Sequence, residues 1–461
     1  MAQAWPKAKP KLTQEAFDEA VTTNIEDFDM SREEAITSAV EDHPIAVASQ
    51  GLRDACSGQG GLTEALEALY SSLQASTVEA AAGTSGSSAA AAVPVSLSQE
   101  AYVIAHKGGA MQSLLEACKQ LHNQTEQLLQ VLRLLQLLLG WLETRDAFTE
   151  VQGVEVIHDV LKCETNGPEV KTAAAEVAEA AAKQVEEAKC RLVDSGVAVT
   201  LLSLLSDPSS PPPLLGAACG VLRAVTTADD ERPPSSRAFV HARLLAGSQH
   251  GAIRVLLGVL RRLPAEQEPA TVCKLLGTVR QIAANEEICR EFTDDGGVVS
   301  CLQVLRGSAG RRDVVRSCLS ALRQLAHSDG VKRLLAEAGA VGDAVRVTAL
   351  HEGADDVAEA ALGLLGNMVL RHPENATLCA EAGVPDMLVE VMRRHPGRAP
   401  VQRQACLLTR LMAARNPELR PGLLERGLEP LLRAAKAAHP NSCKDVGSAA
   451  LRDLGLDNYN D

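Results

Sequence analysis

The chain has 461 residues, a formal charge of −14 and 46% hydrophobic residues, but only 2% of its residues are aromatic. A core of Ala, Leu and Val favours helices over strands, because Ala and Leu are strong helix formers and small side chains let helices approach closely. The acidic balance argues against nucleic acids and anionic membranes as partners, since both are polyanions. We therefore expect an all-α protein that binds neither nucleic acid nor membrane.

The twelve cysteines form no Cys-x-x-Cys pair, and most stand singly in apolar helical runs, as buried thiols do. The sequence shows no signal peptide, and no apolar run approaches the roughly 18 residues that a membrane helix requires. A reducing compartment is expected for such a chain. We predict a cytoplasmic location, with the nucleus as the second choice.

Acidic residues are concentrated at the N-terminus, where residues 1–98 hold 14 acids against 5 bases. Apolar stripes at helical spacing predict two short helices within residues 12–42 and another from about Leu62 to Leu73. Residues 75–98 are mainly Ala, Ser, Gly and Thr, which bury little surface on folding. We therefore divide this part of the chain into an acidic, partly helical region at 1–74 and a flexible linker at 75–98.

From residue 99 onward, a glycine followed by an apolar helical stripe recurs along the chain. Six of the seven intervals between these glycines measure 42 to 46 residues, a period typical of repeats with two or three helices. Each repeat must bury its apolar face against its neighbours, so the repeats stack. The sequence thus predicts a solenoid over residues 99–461, with the recurring glycines at Gly109, Gly153, Gly196, Gly251, Gly297, Gly339, Gly383 and Gly427.

The longest interval, 55 residues, contains an insertion at 229–247 that combines acids, two prolines, a phenylalanine and His241. Long loops in compact arrays are often functional. A tolerated surface excursion is the equal alternative, because loop entropy rises slowly with length. Both interpretations of the insertion stay open from the sequence alone.

Several segments resemble the helices of armadillo repeats. RLLAEAGAV, TLCAEAGVPDMLVEVM and VVRSCLSALRQLA are similar to the first, second and third helices of such a repeat. The runs QEAFDEAVTTNIEDFDMSREEAI, QRQACLLTRLMA and AALRDLG resemble the armadillo repeat-containing protein six family. This resemblance implies a right-handed α-solenoid of about eight three-helix repeats, a small helical N-terminal region and a non-catalytic scaffold or adaptor role.

Armadillo proteins commonly hold extended peptides in a concave groove lined by the third helices, using a ladder of asparagines with tryptophans nearby. The matching slots here are Leu137, Ala181, Ala224, Gln281, Gln324, Asn367, Leu411 and Asp453. Asn367 keeps the expected amide, Gln281 and Gln324 substitute at longer reach, and no tryptophan lies four residues before any slot. These departures weaken the alternative function, a nucleocytoplasmic transport adaptor that recognises basic localisation signals.

An arginine stands immediately before five of these slots. Such a row would offer guanidinium groups to the carboxylates of an acidic partner. The alternative is that each arginine forms an ion pair within the array, which is ordinary on charged helix faces. The predicted partner-binding residues of the groove are Arg223, Arg280, Gln281, Arg323, Gln324, Asn367, Arg410 and Arg452.

The nearest acidic segment lies in the same chain, ahead of the predicted linker. A flexible linker of about 25 residues spans roughly 25–30 Å on average. We therefore predict a monomer whose acidic arm contacts the groove and competes with acidic segments of other proteins. The acids of this arm are Glu15, Asp18, Glu19, Glu26, Asp27, Asp29, Glu33 and Glu34.

The best candidate nucleophiles are cysteines near histidines, such as Cys118, which lies four residues before His122 and on the same helical face. An apolar run surrounds this thiol, whereas reactive thiols need an exposed and electropositive setting. A structural thiol is therefore the favoured interpretation. The chain has no phosphate-binding glycine loop, and its eleven histidines are scattered. We predict no enzyme activity, no cofactor and no metal.

Overall fold

The computed structural model describes residues 43–75, 77–79, 95–97, 99–121, 124–247, 249–283 and 285–460, together with positions 22, 23, 25, 26 and 31. The helices predicted within 12–42 therefore lie outside the described residues apart from these five positions. The chain divides into two compact units. Unit 1 comprises Met1–Thr200 and Ala228–Ser236, and unit 2 comprises Leu201–Thr227 and Arg237–Asp461.

The N-terminal part contains two helices, α1 (Pro44–Cys56) and α2 (Leu62–Gln74). Helix α2 matches the predicted helix, whereas α1 was not predicted. Helix α1 begins at a proline, and the Nδ1 of His43 accepts a hydrogen bond from the Ile45 amide at 3.2 Å. A capping side chain followed by proline is a strong helix start.

The structure differs from the predicted linker at six positions. Strand β1 (Thr77–Glu79) pairs antiparallel with β2 (Val95–Leu97), and Thr77 lies opposite Leu97. Thr, Val and Leu in these segments give them more strand propensity than the Ala, Ser and Gly between them. Residues 80–94 lie outside the described part of the chain, so the flexible linker stays a prediction for that stretch.

Eight consecutive groups of three helices follow, which confirms the all-α, three-helix repeat prediction. Repeats 1 to 4 contain α3 (Gln99–Lys107), α4 (Ala110–Gln120), α5 (Thr125–Leu138), α6 (Leu142–Glu150), α7 (Gly153–Lys162), α8 (Pro168–Ala182), α9 (Glu186–Asp194), α10 (Val197–Ser206), α11 (Pro212–Val225), α12 (Ala238–Ala246), α13 (Ala252–Arg262) and α14 (Pro269–Ile282).

Repeats 5 to 8 contain α15 (Glu286–Asp294), α16 (Gly297–Gly307), α17 (Arg312–Leu325), α18 (Asp329–Glu337), α19 (Ala340–Leu350), α20 (Asp355–Val369), α21 (Pro373–Glu381), α22 (Val384–Arg394), α23 (Ala399–Ala414), α24 (Arg420–Glu425), α25 (Leu428–Ala438) and α26 (Pro440–Asp453). A short 3₁₀ turn, Pro417–Leu419, precedes α24. Among the described helices, none has the length and apolar character needed to cross a membrane.

The glycine period has a backbone cause. Six of the eight recurring glycines sit between a first and a second helix with φ between 58° and 89°, the left-handed region that L side chains rarely adopt. Gly153 and Gly297 differ, because they are the first residues of α7 and α16 and the preceding Gln152 and Gly296 take the left-handed conformation. The left-handed recurring glycines are Gly109, Gly196, Gly251, Gly339, Gly383 and Gly427.

The third helices of unit 2 form a continuous layer. Helices α11, α14, α17, α20, α23 and α26 pack side by side in chain order. Their facing side chains are mainly Ala, Leu, Val and buried cysteine. Small residues at these contacts allow the close spacing that stacked repeats require. Each third helix therefore presents one remaining face toward solvent.

Helices α1 and α2 continue the stack within unit 1. Helix α1 packs on α4 and α2 packs on α5, as a second and a third helix do with the following repeat. Arg53 of α1 donates from Nη2 to the Gly108 carbonyl at 3.1 Å. Arg261 and Arg306, at the ends of second helices in unit 2, donate to the carbonyls at the equivalent turn, Asp295 and Ala338. The pair α1–α2 thus has the place of the last two helices of an additional repeat.

Candidate partner-binding surface

The third helices of unit 2 hold more bases than acids. Their solvent side, formed by α11, α14, α17, α20, α23 and α26, is called the third-helix surface of unit 2. These six helices hold ten basic and six acidic residues, a formal charge of +4, whereas the whole chain carries −14. The predicted arginines all lie within them. A cation in the last turn of a helix also interacts favourably with the helix dipole, which suits the positions of Arg223, Arg280 and Arg323.

The amide slots connect successive third helices. Gln281 donates from Nε2 to the Thr226 carbonyl at 2.8 Å, and Gln324 donates to the Ala283 carbonyl at 2.9 Å. Asn367 donates from Nδ2 to the Arg323 carbonyl at 2.9 Å. These carbonyls belong to helix ends, where four of them lack a partner within the helix. These side-chain amides therefore link each third helix to the preceding repeat, and their contact with a partner stays a prediction.

Two of the predicted arginines form ion pairs at the C-terminal end of the row. Arg410 Nε lies 3.3 Å from Asp453 Oδ2, and Arg452 Nη2 lies 3.0 Å from Asp453 Oδ1. The Asp453 side chain is only 16% exposed. For these two arginines the ion-pair alternative describes the structure, and one carboxylate offsets part of their charge.

Arg280 and Arg323 differ from that pair. Neither guanidinium has a hydrogen bond or an ion pair with another residue in the described ranges up to residue 460. Arg280 is exposed and Arg323 is half-buried. They lie on α14 and α17, which are neighbours in the layer. The structure therefore places two adjacent cations without acidic partners at the centre of the row.

Small residues lie four residues before the slot in the middle repeats, where the resemblance to armadillo repeats implies a tryptophan. Four consecutive repeats have Gly or Ser there, at Gly220, Gly277, Ser320 and Gly363. A Cβ atom at position 363 would lie 2.6 Å from Arg323 Nη1, and one at 277 would lie 3.8 Å from Arg223 Nη1. Each of these guanidinium groups therefore lies across the next third helix, over a residue without a side chain.

The insertion at 229–247 has two parts. Residues 238–246 are helix α12, the first helix of repeat 4, so the prediction of one long excursion is too broad. Residues 229–236, here the insertion clasp, belong to unit 1 and bind its helix α9. The Asp229 carboxylate accepts a hydrogen bond from the backbone N–H of Gln184 at 3.2 Å, and the Asp230 carboxylate accepts one from the backbone N–H of Glu186 at 2.9 Å. The clasp thereby caps the N-terminus of α9, which has no side-chain cap of its own.

Charge pairs hold the insertion clasp in place. Lys189 of α9 is completely buried and pairs with Asp229. Arg232 Nη1 lies 2.7 Å from Asp146 Oδ2. Hydrogen bonding from Arg232 holds the pKa of Asp230 well below its usual range. These contacts clamp residues 229–236 to their neighbours within unit 1, and a functional role for this loop stays a hypothesis.

The titratable candidates have ordinary structural surroundings. Cys118 is buried, and burial raises the pKa of its thiol to about 12, while His122 lies outside the described residues. His241 is buried, with Nδ1 2.9 Å from the Val225 carbonyl. Within the part of the chain that the structure describes, no three His, Cys, Asp or Glu side chains are grouped to hold a metal.

Sequence reasoning missed a row of three histidines. His351, His395 and His439 each follow a second helix, and each Nε2 lies 2.7 to 3.1 Å from a backbone carbonyl of the preceding repeat. A carbonyl only accepts, so the bonds assign the proton to Nε2. Their 44-residue spacing was a readable signal. The carbonyls they bind are those of Ala309, Glu352 and Pro396.

Curated relatives are similar to this chain in sequence. Human armadillo repeat-containing protein 6 is 28% identical over 393 residues, which cover 80% of this chain and 75% of that protein. The Drosophila melanogaster homolog is 28% identical over 156 residues, covering 34% of this chain and 32% of its own length. The identity is modest, but in the human protein it extends over most of both chains.

Solved structures agree on the fold. An engineered protein superposes with a TM-score of 0.67 at 18% identity, covering 95% of this chain and 98% of its own. A structure from work on a phosphorylation switch in the interaction between cadherin and β-catenin superposes with a TM-score of 0.60 at 16% identity, covering 95% of this chain and 86% of its own.

The family models account for most of the sequence. The model of the armadillo repeat-containing protein 6 N-terminal domain matches residues 9–53. The ARMC6 model matches residues 96–458, which include all eight three-helix repeats, the insertion clasp and the arginine row. With this match over more than half of its length, the chain belongs to the ARMC6 family of armadillo repeat proteins.

Proposed function

We propose that this protein is a non-catalytic scaffold that binds an acidic, extended segment of another protein on the third-helix surface of unit 2. The observation that carries the proposal is the pair Arg280 and Arg323, two adjacent cations without acidic partners among the described residues. Arginine presents a planar fork that matches a carboxylate. An acidic segment would therefore supply the carboxylate partners that Arg280 and Arg323 lack within the described part of the chain.

Two further observations support a protein partner. The third helices of unit 2 have a positive formal charge in a chain that is otherwise strongly acidic, so local charge would attract anionic segments to them. One structure with the same fold comes from work on the interaction between cadherin and β-catenin. The fold hosts many tasks, so the charges of this surface decide the class of ligand.

The charge-reversed variant Arg280→Glu/Arg323→Glu is expected to bind a fluorescein-labelled Glu-rich peptide about 10- to 100-fold more weakly, or roughly 1.4–2.7 kcal/mol. The reason is that two attractive contacts become repulsive. Fluorescence anisotropy at low and at physiological salt would measure the change. A matched control is Arg290→Glu/Arg393→Glu, which alters the net charge equally on a first and a second helix.

Three outcomes separate the candidate functions. Equal loss in both double variants would mean that net charge alone drives binding, and the proposed surface would be wrong. Preference of the wild type for a Lys-rich peptide would favour the transport-adaptor alternative. Weak binding of both peptides by the wild type would contradict the proposal itself.

The acidic N-terminal arm is part of the proposal as an internal competitor. Residues 1–42 hold ten acids and four bases. Deleting residues 1–42 should tighten binding of the Glu-rich peptide, since a competing segment is removed. The deletion must stop before α1, because α1 and α2 pack on α4 and α5. Unchanged affinity would count against the competing arm.

A milder variant controls for the deletion. Changing Glu26, Asp27, Asp29, Glu33 and Glu34 to their amides removes five charges and keeps the chain length. If the arm competes through charge, this variant should tighten binding in the same direction as the deletion. The proposal includes a monomer in the cytoplasm or nucleus, for which twelve free cysteines are suited.

A further inference from the structure

Two second helices of unit 2 use an arginine to cover the turn before the next second helix. Arg306 of α16 donates from Nη2 to the Ala338 carbonyl at 2.5 Å and from Nε to the Asp343 carboxylate at 2.7 Å. Arg261 of α13 donates to the Asp295 carbonyl in the same way. A guanidinium group is thus a regular part of the contact between successive second helices.

The left-handed glycine of each turn shows how close the arginine lies. A Cβ atom on Gly296 would lie 3.1 Å from Arg261 Nη2, and one on Gly339 would lie 3.5 Å from Arg306 Nη2. At Gly383, in the turn between α21 and α22, no atom of the described residues lies within 4 Å of such a Cβ. The turn before α22 is therefore open.

A single residue of α19 accounts for the open turn. Arg261 and Arg306 each lie ten residues after the left-handed glycine that precedes their own helix. The residue ten after Gly339 is Ala349, whose side chain is too short to reach the next turn. The carbonyl that an arginine would reach, that of Ala382, accepts no hydrogen bond from a side chain in the part of unit 2 that the structure describes.

A recess of about 310 Å³, here the Ala349 recess, lies between α19 and α22. Its floor is apolar and consists of Val345 and Ala349 from α19 and Met387 and Val391 from α22. Met387 and Val391 are buried. An apolar floor suits the aliphatic part of a long cationic side chain, which packs on apolar surface while its charged end stays at a polar rim.

The rim of the Ala349 recess is acidic. Glu352, Asp386 and Glu390 line it, and each of these side chains is more than half exposed. Arg394 pairs with Glu352 at 2.9 Å and with Glu390 at 3.0 Å, and Arg426 pairs with Asp386 at 2.9 Å. Three carboxylates with two guanidinium groups leave one negative charge in excess, and each carboxylate can accept further hydrogen bonds. The rim therefore favours a cation.

Two other turns are open but have different surroundings. At Gly251 and Gly427, too, no atom of the described residues lies within 4 Å of a Cβ. The position of Asp386, three residues after the glycine, is held by Arg254 in the first of these turns and by Pro430 in the second. Neither turn has a carboxylate at this position. Among these three turns, the one beside the Ala349 recess thus joins an open carbonyl to an acid that attracts cations.

We propose that the Ala349 recess binds an arginine side chain from a basic segment of another protein. The guanidinium group donates to the Ala382 carbonyl and to the Asp386 carboxylate, as Arg306 does to the carbonyl and carboxylate of its own turn. The planar fork of arginine has enough donors for both contacts. The recess lies on second helices, so this binding is separate from that of an acidic segment on the third-helix surface of unit 2.

The variant Ala349→Arg tests the proposal, because it supplies the guanidinium group from within the chain. The full chain is titrated into a fluorescein-labelled peptide in which four arginines alternate with glycines, and fluorescence anisotropy is measured at physiological salt. Ala349→Arg should weaken binding about 10-fold, since its own side chain fills the recess. Circular dichroism would check that the variant is folded.

The matched control is Gly342→Arg. Gly342 is exposed and lies about two turns before Ala349 on the same helix, and a Cβ there would meet no atom within 4 Å. This variant adds the same charge and leaves the recess open, so it should change the affinity by no more than about 2-fold.

Removing the rim charges gives a second test. Asp386→Asn/Glu390→Gln should weaken binding of the arginine peptide about 5- to 10-fold, because two attractive charges are lost. The control Glu286→Gln/Glu287→Gln removes two exposed acids from the first helix α15 and should have little effect.

Three results would overturn the proposal. The first is wild type that does not bind the arginine peptide. The second is an equal loss in Ala349→Arg and Gly342→Arg, because net charge would then account for binding. The third is unchanged binding by Ala349→Arg together with tighter binding by Arg280→Glu/Arg323→Glu, which would place the basic segment on the third-helix surface of unit 2.

Discussion

Replacing Asp229 with alanine is expected to lower the free energy of unfolding by about 2–4 kcal/mol. Lys189 is completely buried, and Asp229 is its closest acidic partner, while Glu186 remains at 3.7 Å. A buried ammonium left without its main partner is strongly destabilising. The variant also removes the carboxylate that accepts a hydrogen bond from the backbone N–H of Gln184. Urea unfolding followed by circular dichroism would measure the loss.

The chain contains a closely matched control for this change. Asp295 is 34% exposed, against 33% for Asp229, but its partner Arg254 is 72% exposed. Asp295→Ala should alter stability by no more than about 0.5 kcal/mol, because exposed ion pairs contribute little. The double variant Lys189→Met/Asp229→Ala should recover much of the lost stability, since no buried charge remains. Equal small losses for Asp229→Ala and Asp295→Ala would contradict the clamping role of the clasp.

Replacing Gly297 with alanine is expected to destabilise the protein by about 1–3 kcal/mol. A Cβ atom on Gly297 would overlap the ring of Phe292, which is fully buried at the end of the first helix of repeat 5. The ring has no free space to move into, because interiors are close-packed. The same arrangement holds Phe148 against Gly153 in repeat 2. Thermal and urea unfolding would measure the change in the free energy of unfolding.

Gly342 is the control for this substitution. It lies in α19, it is exposed, and a Cβ there would meet no atom within 4 Å. Gly342→Ala should therefore stabilise the protein by about 0.5–1 kcal/mol through helix propensity and the unfolded chain. Adding Phe292→Leu to Gly297→Ala should recover part of the lost stability, because leucine is smaller than the phenyl ring. A stabilising Gly297→Ala would show that the ring relaxes without cost.

The repeats were predictable because their signals are local. A left-handed turn needs glycine, and a buried helix face needs apolar residues three and four apart, so both recur in the sequence itself. The shared position of the arginines followed from the same register. The repeat period does not predict the direction of each side chain. In the structure Arg410 and Arg452 both form ion pairs with Asp453, whereas Arg280 has no acidic partner among the described residues.

Long-range contacts explain what sequence reasoning missed. The partner of Lys189 lies 40 residues further along the chain, in a segment that reads as an ordinary loop. Helix α1 buries small side chains such as those of Ala46 and Ala48. None of the glycines that recur about every 44 residues precedes it. The amides at Gln281 and Gln324 were expected to face a partner, but the nearest acceptors are carbonyls of the preceding repeat.

The place of α1 and α2 in the stack sets limits on how this protein can be cut for study. The matches to the two family models end at residue 53 and resume at 96, so a fragment based on either would separate α1 from α2 or remove both. Removing them would expose the sides of α4 and α5 on which α1 and α2 pack. Recombinant fragments of this family that retain residues 43–75 should therefore remain soluble where those starting at 96 aggregate.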